Sequence, residues 1–206
     1  MLPDDLRQFL AQRLDQPLPG REAHRKFAHE LSFGRHSGPV PASARPAAVL
    51  IMLSWRIDDW FFPLTVRQQG LGTHAGQISL PGGGIEQGET HYAAALRECQ
   101  EELGWAPRES DILGKLSPLY VYASNYVVTP VVAVSTDTPK WKPNPQEVAE
   151  LFEMPVTRFL SAETSVMRIP RQKVVMNAPC FRWKSYSIWG ATAMMLAELR
   201  AVLLNA

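Results

Sequence analysis

The sequence has little of what marks several large classes of protein. It contains two cysteines, Cys99 and Cys180, too few for a disulfide framework and not spaced as zinc ligands are. No stretch holds the ~18 consecutive apolar residues of a membrane-spanning helix, and the charged N-terminus lacks a signal-peptide core. Lysine and arginine (21) nearly balance aspartate and glutamate (20), so the net charge of +1 provides no global field for nucleic acid or anionic lipid. We therefore expect a cytoplasmic protein that binds neither nucleic acid nor membrane.

The chain nonetheless has the composition of one folded domain. Its 206 residues are 46% hydrophobic and 20% charged, close to what globular proteins contain. Helical spacing of apolar residues over 2–14 and a weaker pattern over 21–31 predict two helices, and residues 34–46, rich in glycine, proline and serine, predict a linker. We divide the chain into an N-terminal helical extension and linker, residues 1–44, and a main domain, residues 45–206.

The main domain contains patterns of both strands and helices. A nearly continuous apolar run at 47–55 and a second run at 60–66 predict a β-hairpin. Further strand-like runs lie at 116–122, 126–135, 148–153 and 181–189. An amphipathic pattern over 191–204 predicts a closing helix. This order predicts an α/β fold in which helices pack against a sheet.

The residues with chemical potential are concentrated between 81 and 105, a segment that opens on three glycines and contains five glutamates. Thr90 as N-cap and Gly104 as the residue after the last turn delimit a helix. At about 100° per residue, we predict a narrow buried stripe on this helix formed by Tyr92, Leu96, Cys99 and Leu103. Beside that stripe lies an arc of carboxylates, formed by Glu98, Glu101 and Glu102.

This carboxylate arc favours a bound cation. Like charges three or four residues apart on a helix repel each other by a few tenths of a kcal/mol per pair. Carboxylate oxygens suit Mg²⁺ or Mn²⁺, and substrate phosphates complete the coordination shell. Such a metal withdraws charge from phosphoryl oxygens and lowers the pKa of water, while a glutamate can accept the proton. The alternative is a solvated acidic face, but the glycines upstream, where backbone can approach a ligand closely, favour the metal site.

The segment 83–105 resembles the Nudix box, G-x5-E-x7-R-E-U-x-E-E-x-G-U, where U is a bulky aliphatic residue. All fixed positions match, namely Gly83, Glu89, Arg97, Glu98, Glu101, Glu102 and Gly104. Cys99 and Trp105 stand at the two U positions and remain apolar. The resemblance implies a Nudix α/β/α sandwich, with a mixed sheet between helices, and a hydrolase that cleaves phosphoric anhydride bonds with Mg²⁺ or Mn²⁺.

The resemblance also implies roles for individual residues. It implies that the metal ligands and catalytic groups are Glu98, Glu101 and Glu102, one of which acts as base. It implies structural roles within the box for Glu89, Arg97 and Gly104. Farther along the chain, where Nudix enzymes can supply an extra carboxylate, Glu147 and Glu150 are two candidates, the alternative being surface charges on a loop. The sequence is compatible with a homodimer but specifies no interface.

Residues 63–83 resemble the element of coenzyme A pyrophosphatases, L-L-T-x-R-[SA]-x3-R-x3-G-x3-F-P-G-G. The positions that agree are Leu64, Thr65, Arg67, Gly76, Pro81, Gly82 and Gly83. Gly72 replaces the second arginine, a phosphate-binding residue type, and this departure bears on substrate choice. The resemblance implies cleavage of coenzyme A or acyl-coenzyme A to 3′,5′-ADP and 4′-phosphopantetheine or its acyl form.

Within this element and the box, the substrate-binding candidates are Arg67, His74, Gly82 and Gly83. For His74 the alternative is a histidine that satisfies a backbone group in its loop. Two other functions stay open at this point. One is hydrolysis of a different nucleoside diphosphate derivative such as ADP-ribose or NADH, and the other is a Nudix module that binds a nucleotide without turnover.

Overall fold

The computed structural model describes residues 2–69, 76–171 and 174–204. Across these residues the helices are α1 (Pro3–Leu14), α2 (Gly20–Arg25), α3 (His91–Leu103), α4 (Val156–Ser161) and α5 (Gly190–Leu203). The strands are β1 (Arg45–Arg56), β2 (Asp59–Arg67), β3 (Ile78–Ser79), β4 (Gly82–Gly84), β5 (Ile112–Lys115), β6 (Leu119–Val121), β7 (Tyr126–Ser135), β8 (Val148–Pro155), β9 (Thr164–Arg171), β10 (Val174–Trp183) and β11 (Tyr186–Trp189). Short 3₁₀ turns lie at Glu30–Ser32, Arg35–Ser37 and Glu109–Asp111.

The main sheet is mixed, and β1 lies near its centre. The strand order is β3-β2-β1-β7-β5, with β4 paired to β1, β6 to β7 and β8 to β2. β1 runs parallel to β7 from the pair Arg45 and Tyr126 to the pair Ser54 and Ser135. It is antiparallel to β2, which confirms the predicted hairpin, and to β4. A second sheet contains β9, β10 and β11 in the order β11-β10-β9.

The two faces of β1 belong to different apolar clusters, as the alternation of side chains along a strand requires. Leu50 and Met52 pack in the cluster that contains α3. Ile51 and Leu53 pack in the larger cluster, which includes residues of α1 and α5. The sheet therefore lies between helices, and the predicted α/β/α sandwich is confirmed. None of the helices in the described residues is long and apolar enough to cross a membrane.

The predicted buried stripe of α3 is wrong in part. Cys99 and Leu103 are fully buried, but Tyr92 and Leu96 are only half-buried. The alanines at 94 and 95 are completely buried in their place. Their small side chains let the helix axis approach β1 closely. The buried face of α3 is therefore rotated toward these alanines relative to the predicted stripe, and Glu102 is buried with it.

The N-terminal helices pack on the main domain. Leu6, Leu10 and Leu14 of α1 are buried in the larger core cluster, as their helical spacing predicts. The second predicted helix is shorter than expected, because α2 ends at Arg25 and the chain continues through the two 3₁₀ turns. These turns bring residues 29–36 against the strand β6 and the loop that follows it.

Two strand predictions also need correction. The run 181–189 is a hairpin, since β10 ends at Trp183 and Lys184 adopts a left-handed φ of 51° before β11. The run 116–122 contains only one short strand, β6, and β5, which ends at Lys115, was not predicted. β9 was not predicted because it is an edge strand with arginine and proline among exposed positions, so its alternation is weak.

Candidate active site

Two glycines and a threonine fix the register of α3. The Thr90 hydroxyl accepts a hydrogen bond from the Ala93 N–H at 3.1 Å, as the sequence predicts for an N-cap. Gly104 ends the helix with φ 69°, and a Cβ there would lie 2.7 Å from the Lys142 carbonyl oxygen. Gly83 faces the helix from β4, and a Cβ on it would lie 2.4 Å from Glu98 Oε1. The space beside β4 is therefore taken by a carboxylate of α3.

Arg97 ties the helix to the loop that precedes it. Its Nε and Nη2 donate to the two oxygens of Glu89 at 2.9 and 3.0 Å, and Nη2 also donates to the Gly84 carbonyl at 2.9 Å. The Glu89 carboxylate raises the pKa of Arg97, and Arg97 lowers the pKa of Glu89. Arg97 Nη1 donates to Glu98 at 2.9 Å and to Glu101 at 3.1 Å. Arg97 thus joins Glu89, Glu98 and Glu101 of the box into one network.

The three glutamates of the arc have different surroundings. The Glu102 side chain is 4% exposed, and the Glu101 side chain is 54% exposed. The Glu98 side chain is largely buried at 15% exposure. Arg97 Nη1 pairs with both Glu98 and Glu101, of which Glu101 is the more exposed. Glu98 and Glu102 form the inward-facing part of the arc.

Glu102 is a buried carboxylate with too few partners. Its Oε1 lies 3.8 Å from Arg67 Nη1, and its Oε2 has no hydrogen-bond partner among the described residues. Burial raises the pKa of Glu102 to about 8; Arg67 opposes this shift, and the charges of Glu147 and Glu98 add to it. Burial likewise raises the pKa of Glu98, against the opposing effect of Arg97. In both carboxyl groups the effect of burial outweighs that of the neighbouring arginine.

These residues fit a divalent cation by their chemistry. Hard carboxylate oxygens are present, two of the carboxylates are buried close to one another, and one buried oxygen is unpaired. Across residues 2–69, 76–171 and 174–204, no three His, Cys, Asp or Glu side chains are already arranged around one point as an ion would require.

Of the two candidate glutamates beyond the box, one lies at the site. The loop before β8 is fastened to the end of α3, since Asn144 N–H donates to the Glu102 carbonyl at 2.8 Å. Asn144 Nδ2 donates to Glu147 Oε1 at 3.2 Å, and the Glu147 charge acts on both Glu98 and Glu102. Glu150 is exposed and accepts a hydrogen bond from the Tyr186 hydroxyl instead.

A cavity of about 930 Å³ opens beside the carboxylates. Arg67 and the β4 glycines, including Gly82 and Gly83, line it. His74 and Gly72 lie outside the described residues. The wall also includes Tyr122 and residues of the 29–36 segment, which belongs to the N-terminal extension, for which the sequence indicates no role. In the sequence, the basic residues of the run Gly-Arg-His in that segment were the signal that could have indicated a binding role.

This protein is an enzyme that hydrolyses pyrophosphate bonds, and its fold is a mixed sheet between helices. The NUDIX domain model matches residues 45–174. This chain belongs to the Nudix hydrolase family, whose members generally use divalent metal ions.

Relatives and solved structures agree with this assignment. The chain is 34% identical over 181 residues to a protein of Pectobacterium atrosepticum named uncharacterized Nudix hydrolase NudL, covering 84% of this chain and 93% of that protein. A protein of the same name from Salmonella paratyphi B is 34% identical over 157 residues, 75% of this chain and 81% of that protein. The Nudix hydrolase RenU of M. smegmatis superposes with a TM-score of 0.56 at 18% identity, covering 79% of this chain and 87% of RenU. At that identity the likeness concerns the fold.

Proposed function

We propose that this Nudix hydrolase cleaves coenzyme A or acyl-coenzyme A to 3′,5′-ADP and 4′-phosphopantetheine or its acyl form, with Mg²⁺ or Mn²⁺. The observation that carries the proposal is the position of Arg67. This arginine belongs to the element that resembles coenzyme A pyrophosphatases, it lies 3.8 Å from Glu102 of the box, and it lines the cavity. The substrate element and the acidic helix therefore meet at one point.

The cation would be held by Glu98, Glu101 and Glu102, with Glu147 as a further carboxylate. When bound, it supplies charge neutralisation at the phosphoryl oxygens and lowers the pKa of the attacking water. Glu98 and Glu101 both contact Arg97 Nη1, whereas Glu102 does not. The buried, underpaired state of Glu102 supports the assignment, because a divalent cation would offset the unfavourable burial of its charge.

The other residues bind and orient the substrate. Arg67 offers a planar guanidinium that can grip phosphate oxygens in a bidentate manner. Gly82 and Gly83 line the cavity and offer backbone groups to the substrate, while a side chain at either position would collide with β1 or with Glu98. One of the glutamates accepts the proton of the water that attacks phosphorus, and the bond to the leaving phosphate oxygen breaks. His74 remains a candidate hydrogen-bond donor to a substrate phosphate.

A product analysis tests the reaction and its substrate together. Purified protein would be incubated with coenzyme A, acetyl-coenzyme A, ADP-ribose, NADH and dinucleoside polyphosphates, with Mg²⁺, Mn²⁺ or EDTA, and the products identified by mass spectrometry. We expect 3′,5′-ADP from the coenzyme A samples and only with metal. Intact coenzyme A beside a cleaved alternative substrate would contradict the substrate assignment while leaving the reaction class in place.

A second candidate substrate class is another nucleoside diphosphate derivative, such as ADP-ribose or NADH. Gly72 is the observation that favours it, because a phosphate-binding arginine of the coenzyme A element is missing there. The same substrate panel discriminates the two classes.

A further inference from the structure

Part of the cavity wall comes from the N-terminal segment, well outside the box and the element before it. His29, Arg35 and His36 line the cavity together with Tyr122, which follows β6. The Tyr122 hydroxyl lies 2.9 Å from His29 Nε2, and the rings of Tyr122 and His36 are 5.0 Å apart. These contacts hold the N-terminal segment against the wall that the main domain provides.

Arg35 is held in a fixed orientation in this wall. Its Nε donates to the Ser32 carbonyl at 3.0 Å, and its Nη2 donates to the Leu31 carbonyl at 2.6 Å. The guanidinium carbon lies 4.0 Å from the centroid of the Tyr122 ring, a cation–π contact. Nη1 takes part in none of these bonds. The guanidinium is therefore oriented in advance and still has donors to offer.

The charges around the cavity are unevenly distributed. Among the described lining residues there is no aspartate or glutamate. Arg67 has an acidic neighbour in Glu102, whereas in the described part of the chain Arg35 pairs with no carboxylate. Burial lowers the pKa of His36, and the Arg35 charge adds to this; the hydrogen bond from Nδ1 to the Tyr120 carbonyl, at 2.8 Å, opposes it. His36 is thus neutral at neutral pH, and Arg35 is the permanent cation of this wall.

We propose that Arg35 binds a phosphate monoester of the substrate, a group separate from the pyrophosphate that is cleaved. This inference rests on the proposed function, since coenzyme A has such a group on its ribose 3′ oxygen. A guanidinium that is fixed by its own segment and unpaired with acid fits an anionic group with several oxygens. Neutral His36 and the Tyr122 ring border the same place. Arg35 is an arginine from outside the element 63–83, which has Gly72 where coenzyme A pyrophosphatases have a second arginine.

The kinetic test compares coenzyme A with dephospho-coenzyme A, which lacks the 3′ phosphate. In Arg35→Gln we expect kcat/KM to fall about tenfold or more with coenzyme A and to change by less than about twofold with dephospho-coenzyme A. Arg35→Lys keeps the positive charge but not the planar guanidinium. It should therefore retain part of the preference for coenzyme A over dephospho-coenzyme A. The matched control is Arg25→Gln, which removes the same charge from an exposed position on α2. Equal losses with both substrates, or none, would overturn the proposal.

A binding measurement separates failure of this inference from failure of the proposed function. Calorimetric titration with 3′,5′-ADP and with 5′-AMP needs no turnover. We expect the wild type to bind 3′,5′-ADP about tenfold more tightly, and Arg35→Gln to lose that preference. If coenzyme A is not hydrolysed but the preference persists and depends on Arg35, the phosphate site stands and the proposed reaction fails. Equal binding of both nucleotides by the wild type would remove the site whatever the reaction is.

Discussion

Two glutamates in this protein, Glu198 and Glu102, are both buried from solvent but have different surroundings. Glu198 on α5 is fully buried, and its carboxylate accepts hydrogen bonds from the Gly20 N–H at 2.9 Å, His24 Nε2 at 3.0 Å and the Ser117 hydroxyl at 2.6 Å. Glu102 on α3 has Arg67 at 3.8 Å and one oxygen unpaired within the described residues.

The difference separates a structural carboxylate from one kept for a ligand. A buried charge is strongly unfavourable unless hydrogen bonds or opposite charges replace water. Glu198 has these replacements and thereby joins α2, α5 and the strand region at Ser117. Glu102 has fewer of them, namely Arg67 at 3.8 Å and the Gly82 backbone, and lies among other carboxylates. Substitutions at the two positions should therefore have opposite effects on activity and on stability.

The largest effect is expected from Glu102→Gln. Loss of a metal-binding carboxylate beside the reacting phosphate should reduce kcat/KM by about 10²–10⁴-fold. The free energy of unfolding of the metal-free protein should not fall, because the substitution replaces a buried carboxyl group that has few partners. Steady-state kinetics and urea denaturation measure the two quantities. Glu109→Gln is the control, since Glu109 is exposed and lies outside α3. Full activity in Glu102→Gln would remove Glu102 from the site.

Glu198→Ala should reverse this pattern. The substitution leaves the Gly20 and Ser117 donors buried and unpaired, so we expect the free energy of unfolding to fall by about 3–5 kcal/mol. Activity per folded molecule, measured at low temperature, should stay near that of the wild type. Glu163→Ala, at an exposed position, should leave the unfolding midpoint unchanged. An unfolding curve for Glu198→Ala that superposes on that of the wild type would contradict the structural role.

Part of the candidate site could be predicted from the sequence. The ends of α3 were predictable because Thr90 and Gly104 act locally, and the arc of glutamates followed from helical geometry. The burial of Glu102 and the outward position of Glu101 were not predictable. They depend on how closely Ala94 and Ala95 let the helix pack on β1, which is a tertiary property.

The N-terminal wall of the cavity was beyond sequence reasoning for a related physical reason. Arg35 and Tyr122 are far apart in the sequence, and neither lies in a periodic pattern that marks a contact. The same holds for the fastening of Glu147 beside α3, which depends on backbone hydrogen bonds of the Asn144 loop. Local signals predict elements, whereas the sites between elements depend on packing.

Metal addition should sharpen the contrast between the two glutamates. A ligand at about one hundred times its Kd stabilises the folded state by about 2.7 kcal/mol, so Mg²⁺ or Mn²⁺ should raise the melting temperature of the wild type. Glu102→Gln should lose most of this increase. Glu198→Ala should melt lower but keep the increase. Differential scanning calorimetry with Mg²⁺, Mn²⁺ or EDTA measures the melting temperatures. An equal increase in the wild type and in Glu102→Gln would place the ion elsewhere.

The smallest expected effect is a pH dependence of stability that Glu102 confers on the metal-free protein. Burial raises the pKa of Glu102 from an ordinary 4.5 to about 8, so between these values the folded protein holds a proton that the unfolded chain releases. Stability contributed by this proton is present below about pH 4.5 and is lost as the pH rises toward 8. In EDTA, the free energy of unfolding of the wild type relative to Glu102→Gln should therefore fall by on the order of 1–3 kcal/mol between acidic and alkaline buffer. Parallel curves for the two proteins would mean that the Glu102 carboxylate finds partners in solution, as Glu198 does.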